Sequence, residues 1–174
     1  LEMNATHQEL SASRDKVIQY EARVRTLQAE LAQMSEMIRE DPLTQSLNRR
    51  GLEQQFSIEQ ARADRKRSPL CLAVLDVDNF KQFNDVHGHP AGDEVLRTVG
   101  RTLSRVVGAG DLACRYGGEE FAVILANTTI QQGQLAAERI RKAVAAMNVQ
   151  FGGNALRVTA SVGVAGCMDG EEPA

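Results

Sequence analysis

No run of the sequence approaches the roughly 20 consecutive apolar residues that a bilayer span requires, and no secretory leader pattern opens it. Neither a membrane helix nor export is expected. Cysteine is scarce. Cys71, Cys114 and Cys167 are odd in number and not spaced as metal-ligand pairs, which predicts reduced thiols packed in the core of a cytoplasmic protein. An excess of one charge is also missing: 20 Lys and Arg stand against 23 Asp and Glu. The resulting net charge of −3 gives no general attraction to nucleic acid or to anionic membranes. Internal repeats and low-complexity tracts are absent. What remains is an ordinary composition, 43% hydrophobic and 25% charged, over 174 residues, enough for one good core with length to spare.

Residues 1–40 contain neither Gly nor Pro. With Leu10 at heptad position a, the sevenfold series is Leu10, Val17, Val24, Leu31 and Ile38, and the d series is Ser13, Tyr20, Leu27 and Met34. Val at a with Leu at d predicts a parallel two-stranded coiled coil, in which Lys16 at g faces Glu21 at e of the second strand. A single amphipathic helix packed on its own domain is the weaker alternative, because few short helices keep so strict a sevenfold period. Asp41-Pro42 ends the segment. The residue before proline is pushed out of the helical region, while Asp at an N-cap with Pro at N1 predicts that a new helix starts there. The expected organisation is a dimerising or signalling helix over 1–40 and a second domain over 41–174.

Beyond residue 41 helical and extended patterns alternate. Helices are expected over 50–67, 80–86, 91–107 and 129–147, and strands over 70–77 and 156–165. A hairpin is expected from 112–116, the turn Gly117-Gly118, and 119–125. This pattern predicts an α/β sandwich around a mixed central sheet.

The stretch LAVLDVDNFKQFNDVHGHPAGDEVL, residues 72–96, runs an apolar strand up to Asp76 and Asp78, which alternate onto one face. Strand C-terminal ends are where α/β folds place their ligand crevice, and the helix beginning at Asn79-Phe80-Lys81 offers N–H groups to a phosphate. Asn84 and Asp93 have the hydrogen-bonding groups to read a purine edge. In CRYGGEEFAVIL, residues 114–125, Glu119 or Glu120 would reach Asp76 if the hairpin lies beside 70–77. Clustered carboxylates repel unless protonated or bridged by cations. Hard oxygen ligands beside phosphates suit Mg²⁺, and two ions about 4 Å apart suit phosphoryl transfer. In a regular strand Glu119 and Glu120 point to opposite faces, so only one of them is expected to be a full ligand.

Taken together these segments resemble the GGDEF family, the diguanylate cyclases, in its Glu-containing signature form. RYGGEEF at 115–121 resembles the signature; DVDNFKQFND at 76–85 and GHPAGDEVL at 88–96 resemble the metal and guanine segments; DPLTQSLNRR at 41–50 resembles the opening motif DxLTGLxNRR. The resemblance implies a fold like class III nucleotidyl cyclases and polymerase palms, and condensation of two GTP into cyclic di-GMP with release of two pyrophosphates. It implies that Asp76, the Val77 carbonyl and Glu119 hold Mg²⁺, two ions per half-site with Mn²⁺ as the alternative. Glu119 would accept the 3′-hydroxyl proton, with Glu120 assisting. Asn84 and Asp93 would bind guanine with His89 near the nucleoside, and Asn79, Phe80 and Lys81 would hold phosphates. Gly117 and Gly118 would let the nucleotide lie against the backbone. Each domain would carry half a site, so the homodimer set by the stalk would complete it, under an upstream sensor or partner protein.

Three departures from the family pattern stand out. Gln45 and Ser46 occupy the Gly and Leu positions of the opening motif, so a differently shaped turn is expected there. In the RxxD motif of product inhibition Asp111 is present but Gly108 stands in place of arginine, which predicts weak inhibition; Arg139 matches a position that contributes to such sites from a second domain. The chain given ends at Ala174, without the Lys- and Arg-bearing last helix that family members carry. The alternative reading is an impaired GGDEF domain acting as a nucleotide receptor or an interaction scaffold.

Overall fold

The computed structural model describes residues 2–37 and 39–167. It divides the chain into two units, Leu1–Ile38 and Arg39–Ala174. The first is a single helix, α1 (Glu2–Met37), unbroken as a segment without Gly or Pro allows. The described members of its seam, Val17, Tyr20, Val24, Leu27, Leu31 and Met34, are between 42% and 70% exposed. The side chains of Leu10, Ser13 and Ile38 lie outside the described residues. No helix among the described residues is long and apolar enough to cross a membrane.

The second unit is a five-stranded mixed sheet covered on both faces. Its strands are β1 (Leu47–Asn48), β2 (Leu70–Val77), β3 (Leu112–Gly117), β4 (Glu120–Ala126) and β7 (Ala160–Gly166), in the order β1-β3-β4-β2-β7. Only β1 and β3 run parallel. Strand β2 lies between β4 and the edge strand β7, and its alternation sends Ala73, Leu75 and Val77 into a core built with Phe121, Val123 and Val162. Against that face pack α3 (Phe80–His87), α4 (His89–Val106) and α5 (Ile130–Ala145). Helix α2 (Arg49–Lys66) covers the other face through Leu52 and Phe56, against Ala122 and Ile124. A small hairpin, β5 (Val149–Phe151) and β6 (Asn154–Leu156), turns at Gly152-Gly153.

Local chemistry explains the helix starts. Thr129 and Gln132 form a reciprocal capping box at α5, and the Asn48 side chain accepts from the Gly51 N–H to begin α2. The second of these corrects the expectation that Asp41-Pro42 opens a helix. Asp41 instead closes a turn: its carboxylate accepts from the Thr44 N–H at 2.8 Å and the Thr44 hydroxyl at 2.7 Å. Gln45 then takes φ 59°, where a helix cannot continue. The final strand begins at Ala160, not at 156, because residues 154–156 are spent on the small hairpin.

Gln45 stands where the motif DxLTGLxNRR has glycine, and it adopts the left-handed backbone that glycine takes without strain. Gln45→Gly is therefore expected to stabilise the domain by about 1 kcal/mol, read as a higher urea midpoint. A lower midpoint would mean that the Gln45 side chain contributes more than its backbone costs.

Candidate active site

The site forms where β2 ends beside the β3–β4 turn. Asp76 pairs in register with Glu120 across β2 and β4, so both carboxylates lie on one face of the sheet, opposite to α4 and α5. Among the described residues neither makes a side-chain hydrogen bond or an ion pair. Asp78 is different. Its two oxygens accept from the Thr159 hydroxyl at 2.6 Å and the Ser161 hydroxyl at 2.7 Å, and those bonds, Thr159 first, hold its pKa below the ordinary carboxylate value. Of the two aspartates only Asp76 is left unengaged.

The turn itself is shifted by one residue from the expected Gly117-Gly118. Strand β3 includes Gly117, and the two turn residues are Gly118 and Glu119. The extra residue comes from an irregularity between Arg115 and Gly117 that leaves Tyr116 unpaired, with the Arg49 guanidinium 4.8 Å over its ring. Gly118 has φ 44°, a conformation that a side chain would strain. Glu119 is thus in neither strand; its carbonyl accepts from the Val77 N–H at 3.4 Å, stitching the turn to the end of β2.

Arg115, which sequence reasoning left without a role, holds this turn. Its Nε and Nη2 donate to the Gly118 carbonyl at 2.9 and 2.8 Å, and Nη1 reaches both Asp41 oxygens at 3.3 Å. Burial raises the Asp41 pKa, but the Thr44 hydroxyl and amide, and then Arg115, outweigh it and leave the group below its ordinary value. The opening motif and the signature turn are therefore one connected polar network.

Beside the turn a cleft of about 620 Å³ is lined by Phe80, Lys81 and Asn84 of α3, His89 and Asp93 of α4, and Gly118 and Glu119. Asn84 Oδ1 is buried against α4 with no hydrogen-bond partner in the protein. Asn79 stands on the other side of α3, lining a separate cavity with Asp78. Its φ of 55°, followed by helical Phe80, turns successive backbone N–H groups toward one point, the geometry that holds anions.

The residues fit Mg²⁺ as the resemblance implies. Among the described residues no three His, Cys, Asp or Glu side chains converge. The protein offers at most a pair of carboxylates with neighbouring carbonyls, all of them oxygen donors. That is the donor set of an ion that keeps waters and takes its remaining ligands from a triphosphate.

Away from the cleft, the Asp111 carboxylate is already occupied by the Gly108 N–H at 2.9 Å and the Ala126 N–H at 3.1 Å. Arg139 is exposed on α5 and, among the described residues, makes no ion pair. Cys71 and Cys114 are buried and unbridged, and burial pushes the Cys114 thiol up to about 12.

A mixed sheet with unengaged carboxylates at the end of β2, near a polar cleft walled by two helix starts, is an arrangement able to hold a metal ion and a polar ligand. Comparison with known proteins narrows this. Residues 38–174 match the diguanylate cyclase GGDEF domain. The chain is 37% identical over 155 residues to diguanylate cyclase DgcP of Pseudomonas aeruginosa, covering 89% of this chain and 23% of that protein. Among solved structures, diguanylate cyclase SiaD of P. aeruginosa, determined with its activator SiaC, superposes with a TM-score of 0.74 at 36% identity, covering 99% of this chain and 66% of that one. The coiled coil and GGDEF domain of DgcB from Caulobacter crescentus, in complex with c-di-GMP, superposes with a TM-score of 0.72 at 32% identity, covering 91% and 84%. The chain belongs to the GGDEF family. It spans about a quarter of the length of DgcP.

Proposed function

We propose that this chain is the catalytic part of a diguanylate cyclase, condensing two GTP into cyclic di-GMP in a homodimer. The observation that carries the reading is the cleft lined by Asn84, Asp93 and Glu119, whose turn is bonded to Val77 next to the unengaged Asp76, in a chain of this family. Guanine lies against Asn84 and Asp93, with His89 near the nucleoside. The triphosphate follows toward Lys81 and the backbone N–H groups at Asn79 and Phe80. Asp76, the Val77 carbonyl and Glu119 would hold Mg²⁺, and Glu120, on the Asp76 face, would assist. Bound Mg²⁺ would neutralise the triphosphate and make the α-phosphorus more electrophilic. Gly117 and Gly118 keep the backbone bare on the nucleotide side of the turn. The Glu119 carboxylate takes the proton of the 3′-hydroxyl as that oxygen bonds to the α-phosphorus of the opposing GTP, and the bond to the pyrophosphate oxygen breaks.

Because each half-site holds one GTP, the reaction needs two copies face to face. The open seam of α1 supports a parallel coiled-coil dimer, since six exposed apolar side chains on one stripe are buried when two helices pair. Such a stalk raises the effective concentration of the two domains for one another, and it gives an upstream sensor or a partner protein a handle on activity. The test is GTP turnover with Mg²⁺, read by chromatography, beside Glu119→Ala. Cyclic di-GMP from the parent and none from the variant is expected. Product from both would remove Glu119 from the mechanism, and GTP binding by neither would favour a scaffold.

Product inhibition is expected to be weak. Gly108 lacks the guanidinium that reads guanine bidentately, and Asp111 is engaged by two backbone N–H groups. Introducing that guanidinium with Gly108→Arg is expected to tighten cyclic di-GMP binding about tenfold, read by calorimetry. Submicromolar binding by the parent would contradict the expectation.

A further inference from the structure

Gly92 has no task in the reading above. It lies in the first turn of α4, buried, one position before Asp93, with an ordinary helical backbone. Its N–H donates to the Gly88 carbonyl at 3.3 Å. No turn or positive φ calls for glycine at this point, and helices disfavour glycine relative to alanine. The reason must lie in what surrounds it.

A Cβ built on Gly92 would fall on Oδ1 of Asn84, 3.0 Å from Asn84 Cγ and 3.1 Å from Phe80 Cζ. The Asn84 amide therefore occupies the volume that any other residue at 92 would need. That same Oδ1 is the buried acceptor without a partner. Oδ1 thus faces α4, and since Asn84 also lines the cleft, the seat at Gly92 fixes how the rest of its amide is presented to a bound base.

We infer that Gly92 is a positioning residue for base recognition: its missing side chain is the space in which the Asn84 amide is seated. The choice of guanine then rests partly on a residue that need not touch the nucleotide. The inference depends on the cleft being the GTP site, and it predicts an effect on binding with little effect on the chemical step.

A double-mutant cycle on the full chain tests it, using Gly92→Ala, Asn84→Ala and the double variant. Binding of the non-cleavable guanosine 5′-(α,β-methylene)triphosphate is measured by calorimetry, with kcat and KM for GTP and the melting temperature of all four proteins. Each single change is expected to weaken binding about tenfold, with most of the loss in KM. The double variant is expected to bind as Asn84→Ala does, because no amide is left to displace. Should Gly92→Ala fold poorly, recovery of the fold in the double variant reports the same steric conflict. Parent-like binding by Gly92→Ala, additive losses, or a double variant that also fails to fold would overturn the inference and leave the GTP site standing. A parent that does not bind the analogue would remove both.

Discussion

Asp76→Asn is expected to lower GTP turnover about a hundredfold or more while leaving the urea midpoint unchanged, and Asp78→Asn to do the reverse. The two residues are neighbours in DVD, yet their surroundings divide them. Asp76 meets no hydroxyl, amide or cation of the protein among the described residues, so its charge does nothing for folding and is free for a metal ion. Asp78 joins the end of β2 to the start of β7 through Thr159, just before that strand, and Ser161 within it. Neutralising it weakens two hydrogen bonds to a charged group, and after allowance for solvent screening the cost is about 1 kcal/mol. The measurement pairs cyclic di-GMP formation with urea unfolding for both variants. Equal losses of turnover would mean that both carboxylates serve the metal. A large stability loss in Asp76→Asn would mean that its charge is structural.

Leu27→Asp combined with Leu31→Asp is expected to leave the domain folded and the protein monomeric. Turnover per chain should fall about tenfold or more at submicromolar protein and recover as concentration rises. Both residues are open on α1, so the monomer loses no burial, while in a paired seam each charge would be trapped against apolar partners. Sedimentation and the dependence of turnover on protein concentration read the two halves of the prediction. A dimer that survives both charges would move the dimer interface away from α1, and concentration-independent turnover in a monomer would contradict the shared-site mechanism.

Much of this fold is legible in the sequence because its elements carry their own signals. The apolar run at 70–77 forms β2 over the same residues, and the helix expected from 129 has its capping box in Thr129 and Gln132. Asn84 and Asp93, which the signature segments single out in the sequence, line one cleft. What escaped depends on partners distant in sequence. Strand β1 is two residues long and exists through pairing with Cys114 and Arg115. The Arg115–Asp41 contact joins residues 74 apart. Asp41-Pro42 reads as a helix start until Arg115 and Thr44 claim the carboxylate. The parity of Glu119 could not be read either, because the unpaired Tyr116 moves the turn by one position. Gly92 reads from sequence as a bend between Asn84 and Asp93, yet it lies within α4, and what surrounds it is the volume of another side chain.

For the reaction proposed above, the fork of Arg115 on the Gly118 carbonyl would have a consequence for its entropy. A turn containing glycine is the segment of a chain with the most conformations to choose among. Left to itself, the carboxylate one residue further on would wander with the backbone, and each catalytic cycle would have to gather it again. With the preceding carbonyl pinned at two points, Glu119 has only its own side-chain torsions left to settle. The ordering is incurred once, when the domain folds, and does not recur at every turnover.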